Sequence, residues 1–169
     1  MNATALLSLP VGVVVERHKA KSPWLDFVWR PVSVLGGLPA AAPWTLLGTE
    51  AETQTFYAGT ASIELYRTET ANYLSNLASG APSLWVVPRP READPPYEVL
   101  AVTADPAEGE AFAEAGNDLI DTVPMPANIV AAIEAFIAEH HVERPTFKRQ
   151  RDRQGWPRPE RRGDAEEEP

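Results

Sequence analysis

The chain has 169 residues, 44% hydrophobic and 23% charged, with a formal net charge of −9 and no cysteine. That length suits one domain with its own core, and the lack of cysteine excludes disulfides, thiolate nucleophiles, thiolate iron–sulfur ligation and cysteine zinc sites. The charge is uneven: residues 1–143 hold 7 Lys/Arg and 18 Asp/Glu, residues 144–162 hold 8 basic and 2 acidic residues, and residues 163–169 hold 4 acidic residues and none basic.

The opening MNATALLSLPVG has no basic leader and only a short apolar run, so no signal peptide is read there. No apolar run reaches membrane-spanning length. A cytoplasmic protein that does not enter membranes is the expectation. Residues 1–9 read as a loose lead-in. Val11–Glu16 is a β-branched run and predicts a buried strand. Arg17–Ser22 is basic and polar and reads as a loop. Trp24, Phe27 and Trp29 follow, at a spacing that fits neither helix nor strand, and Pro31 argues against a helix across them. Val32–Leu35 predicts a second strand, closed by Gly36–Gly37. Trp44–Leu47 predicts a third.

Thr55–Tyr57 and Ser62–Tyr66 read as a hairpin that turns at Gly59. Thr68–Ser79 predicts a helix, capped by Thr68 or Thr70 and stopped by Gly80 and Pro82. Leu84–Val87 and Tyr97–Thr103 predict strands around a proline-rich connection. Asp105 is a natural N-cap, with Pro106 at the first helical position and Glu108 three residues on, so a helix is expected over Asp105–Gly116. Leu119–Val123 predicts another strand. Residues 127–141 give the longest helical period, with Ile129, Ile133, Phe136 and Ile137 on one face.

The expected fold is therefore α+β: a curved mixed sheet or partly open barrel of seven or eight short strands, with about three helices packed against it. The alternative is an α/β sandwich, because Tyr97–His141 can be drawn as a βαβα unit. Residues 8–143 form the domain. Residues 144–169 lack an apolar period and read as an extended tail, basic and then acidic.

No phosphate loop, HExxH, GxSxG or calcium-loop pattern is present. His140 and His141 point roughly 100° apart on a helix and chelate poorly. No metal and no cofactor are expected, and no catalytic residue stands out among the 24 acids. Two features suit contact with a protein. Trp24 and Trp29 read first as core packing; the alternative is an anchor surface, since with Arg30 beside them they resemble the composition of interface hot spots. Lys148, Arg149, Arg151, Arg153 and Trp156 form a basic tail with an aromatic residue. Nucleic-acid or anionic-surface binding through that tail is an alternative, disfavoured by the acidic body.

Several stretches carry a family resemblance. They are Val13–Arg17 with Pro23-Trp24, Val28–Val32, Phe56–Gly59, Leu65–Thr70, Ser83–Val86, Val102–Pro106, Val123–Pro126 and His140–Pro145. Together they resemble a proteobacterial family of unknown function, over roughly residues 10–153. Members of that family are usually encoded beside molybdenum-dependent formate dehydrogenase genes. The resemblance implies an accessory or assembly protein with a formate dehydrogenase subunit as partner, and assigns no residue a role. Its enzymatic alternative is a small cofactor-handling protein in molybdenum cofactor delivery, which would gather Glu16, Arg17, Arg30 or Arg67 in a polar cleft.

Overall fold

The computed structural model describes residues 4–24, 26–116 and 119–142. In chain order the elements are β1 (Leu7–Lys19), β2 (Phe27–Leu35), β3 (Thr45–Glu50), β4 (Thr53–Leu65) and a 3-10 turn at Arg67–Glu69. There follow α1 (Thr70–Ala78), β5 (Ser83–Pro90), β6 (Tyr97–Thr103), α2 (Pro106–Glu114), β7 (Asp121–Pro124) and α3 (Ala127–His140). The fold is α+β, with the strands of the described residues divided between two antiparallel sheets that form no closed barrel. The larger sheet has the order β2-β1-β4-β3 and the smaller β6-β5-β7. Both β6 and β7 run antiparallel to β5. They are therefore parallel to each other and joined through α2, a split βαβ unit.

The strands of the large sheet are longer than the sequence pattern suggests. β1 runs on through Arg17, His18 and Lys19, where a loop was expected, because β2 pairs with all three and β4 flanks Arg17 and His18 on the other side. The expected hairpin at Gly59 is one strand of 13 residues. Gly59 has φ +125° and sits at a register shift opposite Val13/Val14. A bulge, not a reversal, is what its permissive backbone supplies here.

Three prolines inside strands occupy places where a ladder bond is not needed. Pro31 lies in the edge strand β2, beside the Val14/Val15 register shift. Pro10 pairs with β4 at a point where β2 has not yet begun. Pro88 sits at a bulge in β5, beyond the reach of β7. β3 is an edge strand exposed along its whole length. It too is bulged: Leu46 faces Phe56 and Gly48 faces Thr55, so Leu47 is the extra residue.

Val11–Val15 are buried without alternation, since both faces of β1 are covered there. One face joins the core of Ile63, Leu65, Leu84, Val86, Ile129 and Ile133. On the other, a Cβ on Gly12 would stand 2.8 Å from the Tyr57 ring and 3.4 Å from Pro39. The link between β2 and β3 thus folds over the sheet.

The helices close the other side. Tyr73 of α1 meets Phe136 of α3 edge-on, with centroids 6.2 Å apart. Asn76 Nδ2 donates to the Ser83 and Ala104 carbonyls, and its Oδ1 accepts from the Ser83 N–H at 3.0 Å. One buried amide therefore ties α1 to the start of β5 and the end of β6. Asp105 caps α2 as expected, accepting from the Ala107 N–H at 2.9 Å. Glu108 does not complete a capping box. Its carboxylate accepts from the Thr103 hydroxyl at 3.2 Å. Neither Thr68 nor Thr70 caps α1 through its side chain.

Candidate functional site

Period-two alternation sorts the far end of the large sheet into two unlike faces. Val15, Arg17, Trp29, Gln54 and Phe56 are cross-strand neighbours on one face. Glu16, His18, Arg30 and Thr53 occupy the other.

The first face is an aromatic platform with a cation in it. The Arg17 guanidinium lies 4.2 Å from the Phe27 ring centroid, 5.2 Å from Phe56 and 5.3 Å from Trp29. It donates to the Gln54 side-chain carbonyl. Its buried Nε has no hydrogen-bond partner among the described residues. Stacking of this kind contributes about 0.5–2 kcal/mol per contact, more as water is excluded. Trp29 goes on to meet Trp44 edge-on at 5.7 Å, Phe56 at 5.7 Å and Tyr97 at 6.3 Å. Trp44 is held at φ +67°, a left-handed conformation that costs a non-glycine residue about 1–2 kcal/mol. Trp29, Trp44 and Tyr97, with Val15, Val99 and Leu119, line a narrow apolar slot between the two sheets.

The second face is a polar ladder. Glu16 Oε2 lies 2.9 Å from His18 Nε2 and 3.8 Å from Arg30 Nη2. His18 Nδ1 lies 2.9 Å from the Thr53 hydroxyl.

Trp24 sits beyond both, on the β1–β2 connection, and is 89% exposed. Its N–H donates to Ser22 Oγ at 3.3 Å. Lys19, Lys21, Phe27 and Val28 around it are exposed as well.

The sequence grouped Trp24, Trp29 and Arg30, and the fold parts them. Trp29 is half-buried in the aromatic cluster, Trp24 stands in solvent, and Arg30 points to the opposite face of β2 from Trp29. The arginine that joins the tryptophans is Arg17. Its signal was legible as a continuation of the Val13-Val15 alternation, obscured by the basic composition of the segment after it. Lys148, Arg149, Arg151, Arg153 and Trp156 lie outside the described residues. Glu16, Arg17, Arg30 and Arg67 do not converge: Arg17 faces away from Glu16 and Arg30, and Arg67 stands in the 3-10 turn after β4.

A second, polar groove lies between β4 and β6, with Glu64, Tyr66, Thr103 and Glu108 in its walls. The Tyr66 hydroxyl donates to Glu64 Oε2 at 2.8 Å, and this bond to a carboxylate holds the phenol pKa above its ordinary value. Loss of solvation pushes the Glu108 pKa up, although the side chain still reaches solvent. The Thr103 hydroxyl bond opposes that shift, and the nearby carboxylates Asp105, Glu64 and Glu69 reinforce it. Among the described residues no three His, Asp or Glu side chains are placed to hold a metal ion, and no helix is long and apolar enough to cross a membrane.

No curated protein and no solved structure matches this chain. A family model described as a protein of unknown function (DUF3305) matches residues 10–151. That span takes in both faces of the aromatic sheet end, the polar groove and the three described α-helices, and the chain belongs to the DUF3305 family.

Proposed function

We propose that this protein is a non-enzymatic accessory or assembly factor that docks by protein–protein contact on the formate dehydrogenase apparatus. The partner comes from the resemblance, whose members are usually encoded beside molybdenum-dependent formate dehydrogenase genes. The exposed end of the β1–β2 hairpin supports the mode of contact. The observation that carries it is Trp24, 89% exposed at the tip of a hairpin whose base is stiffened by the Arg17 aromatic stack. An exposed tryptophan with the exposed Lys19 and Lys21 near it in the chain belongs to the residue type most enriched at binding hot spots. Burying such a ring removes a large apolar area from water at about 25 cal/mol per Å2.

The cofactor-handling alternative asks for a polar cleft at Glu16, Arg17, Arg30 or Arg67; Glu16 and Arg30 share one face 3.8 Å apart, while the slot that Arg30 borders is lined mainly by apolar side chains. The contact reading is tested by co-purification from cell extract with tagged wild-type and Trp24→Ala protein, identifying captured proteins by mass spectrometry. A formate dehydrogenase subunit should be recovered with the wild type and fall about tenfold or more with the variant, as a hot-spot loss above about 1.4 kcal/mol implies. Recovery of the subunit in equal amount by both would refute Trp24 as the anchor. Failure of the wild type to recover any such subunit would refute the partner.

A further inference from the structure

β4 has a neighbour on both sides only as far as Tyr57. Beyond that, Thr60–Leu65 keep β1 on one side and pass the outer edge of β6 on the other. Among the described residues β6 pairs with β5 alone. Between these two edges runs the polar groove, about 700 Å3 with its open mouth, lined by Ser62, Glu64, Tyr66, Leu100, Thr103 and Glu108. Strand edges with unpaired N–H and C=O groups accept a further extended segment. Leu100, 43% exposed on β6, offers such a segment an apolar contact.

The charge of the groove is of one sign. Glu64 and Glu108 line it, and Glu69 and Asp105 stand near enough to act on Glu108. None of the four has a cation at ion-pair distance among the described residues.

The chain itself leads to this place. α3 ends at His140, and His141 Nδ1 lies 2.9 Å from the Thr70 hydroxyl. Thr70 follows Glu69, and the 3-10 turn before it begins next to Tyr66 in the groove wall. The segment that comes next, 144–162, holds 8 basic and 2 acidic residues. An extended chain advances about 3.3 Å per residue, so roughly half a dozen residues past His141 bring its first cations to the groove. A tether this short gives an effective concentration on the order of millimolar, which favours the chain's own segment over that of a second copy.

We propose that the basic segment 144–162 of this same chain docks in the groove between β4 and β6, its cations against Glu64, Glu69 and Glu108 and its backbone along the β6 edge. The docking does not depend on Trp24 or on the identity of any partner.

The segment contains a single lysine, Lys148, which makes a selective probe. Full-length protein is treated with a zero-length carbodiimide at low ionic strength, the monomer is isolated, and its cross-linked peptides are mapped. Lys148 should be joined to Glu64, Glu69 or Glu108 in preference to all other acids outside its own sequence neighbourhood. The yield should fall about fivefold or more in about 0.5 M salt, where the screening length is roughly 4–5 Å. It should fall likewise in the triple variant E64Q/E69Q/E108Q. The tail variant R149E/R151E/R153E keeps Lys148, leaves the described fold untouched and should lose the same cross-links. Lys148 joined evenly to acids across the surface, or only between two chains, would overturn the proposal. So would unchanged yield in both variants.

Discussion

Trp24 and Trp29 belong to one short aromatic stretch, yet different forces fix them. Trp29 is stacked among Trp44, Phe56 and Tyr97, while Trp24 touches little of its own molecule. Trp24→Ala should therefore change stability by no more than about 0.5 kcal/mol. Trp29→Ala opens a hole in the stack and should cost about 3 kcal/mol. Urea denaturation of the two variants checks the division, and equal losses would contradict it. Sequence could group these residues but not separate them, because β2 and its register were not legible across Pro31. For the same reason the sequence sets Arg30 beside Trp29, although adjacency in sequence means opposite faces in a strand. Tyr73 makes a second residue-scale prediction. Burial is the main reason its phenol rises from 10.0 to about 12, against the opposing effect of the Tyr66 N–H that it accepts. The unfolded chain releases this proton near pH 10, while the native chain keeps it until about pH 12. The stability contributed by the neutral phenol is thus whole below pH 10 and lost as pH rises toward 12. The loss is on the order of 2–3 kcal/mol for a shift of this size. Tyr73→Phe gives up the Tyr66 contact and should be less stable at about pH 9, but its stability should fall less steeply toward about pH 11. Denaturant midpoints at the two pH values measure the slope.

Among the elements, those with local start and stop signals were legible in the sequence. The strand Tyr97–Thr103 has the predicted bounds, α2 carries its Asp105 cap, and α3 follows its apolar period. The large sheet was not legible to the same degree. The extent of β1 depends on β2 and β4 lying beside it, and the continuity of β4 depends on Gly59 bulging where it could equally have turned. Both are settled by pairing between distant segments, which local composition does not encode. The contact of α2 with β5 is another case. A Cβ on Gly109 would stand 2.4 Å from the Cγ and Cδ1 atoms of Trp85, the inner part of the ring, which cannot swing aside cheaply. Gly109→Ala gains about 1 kcal/mol of helix propensity and meets an overpacking cost of about 1–3 kcal/mol. The net expectation is a modest destabilisation, seen as a lower thermal midpoint. A raised midpoint would mean that Trp85 has room to move.

On the scale of the whole molecule, composition revealed the division between an acidic body and a basic segment after it. It did not reveal where on the body the negative charge collects. Glu64, Glu69, Asp105 and Glu108 are scattered in sequence and come together only because β4, the 3-10 turn and the β6–α2 junction meet at one end of the groove. The exposed aromatic tip lies on another part of the fold, at the opposite end of β1 from Leu7, which pairs with Leu65 near the 3-10 turn. A partner held at Trp24 and a chain segment held at Glu108 would therefore occupy separate surfaces, so the two proposals can fail independently.

The bulge at Leu47 bears on solubility. An edge strand that is exposed throughout and carries Leu46 and Leu47 is a ready seed for sheet-to-sheet growth. The extra residue breaks the hydrogen-bond rhythm that an incoming strand would need to match. Deleting Leu47 should straighten the ladder against β4, leave the monomer folded and shorten its life in concentrated solution. Light scattering at about 37 °C should rise sooner for the deletion than for the wild type. A deletion that stays as clear as the wild type would show that Glu50 at the end of the strand already suffices as a gatekeeper.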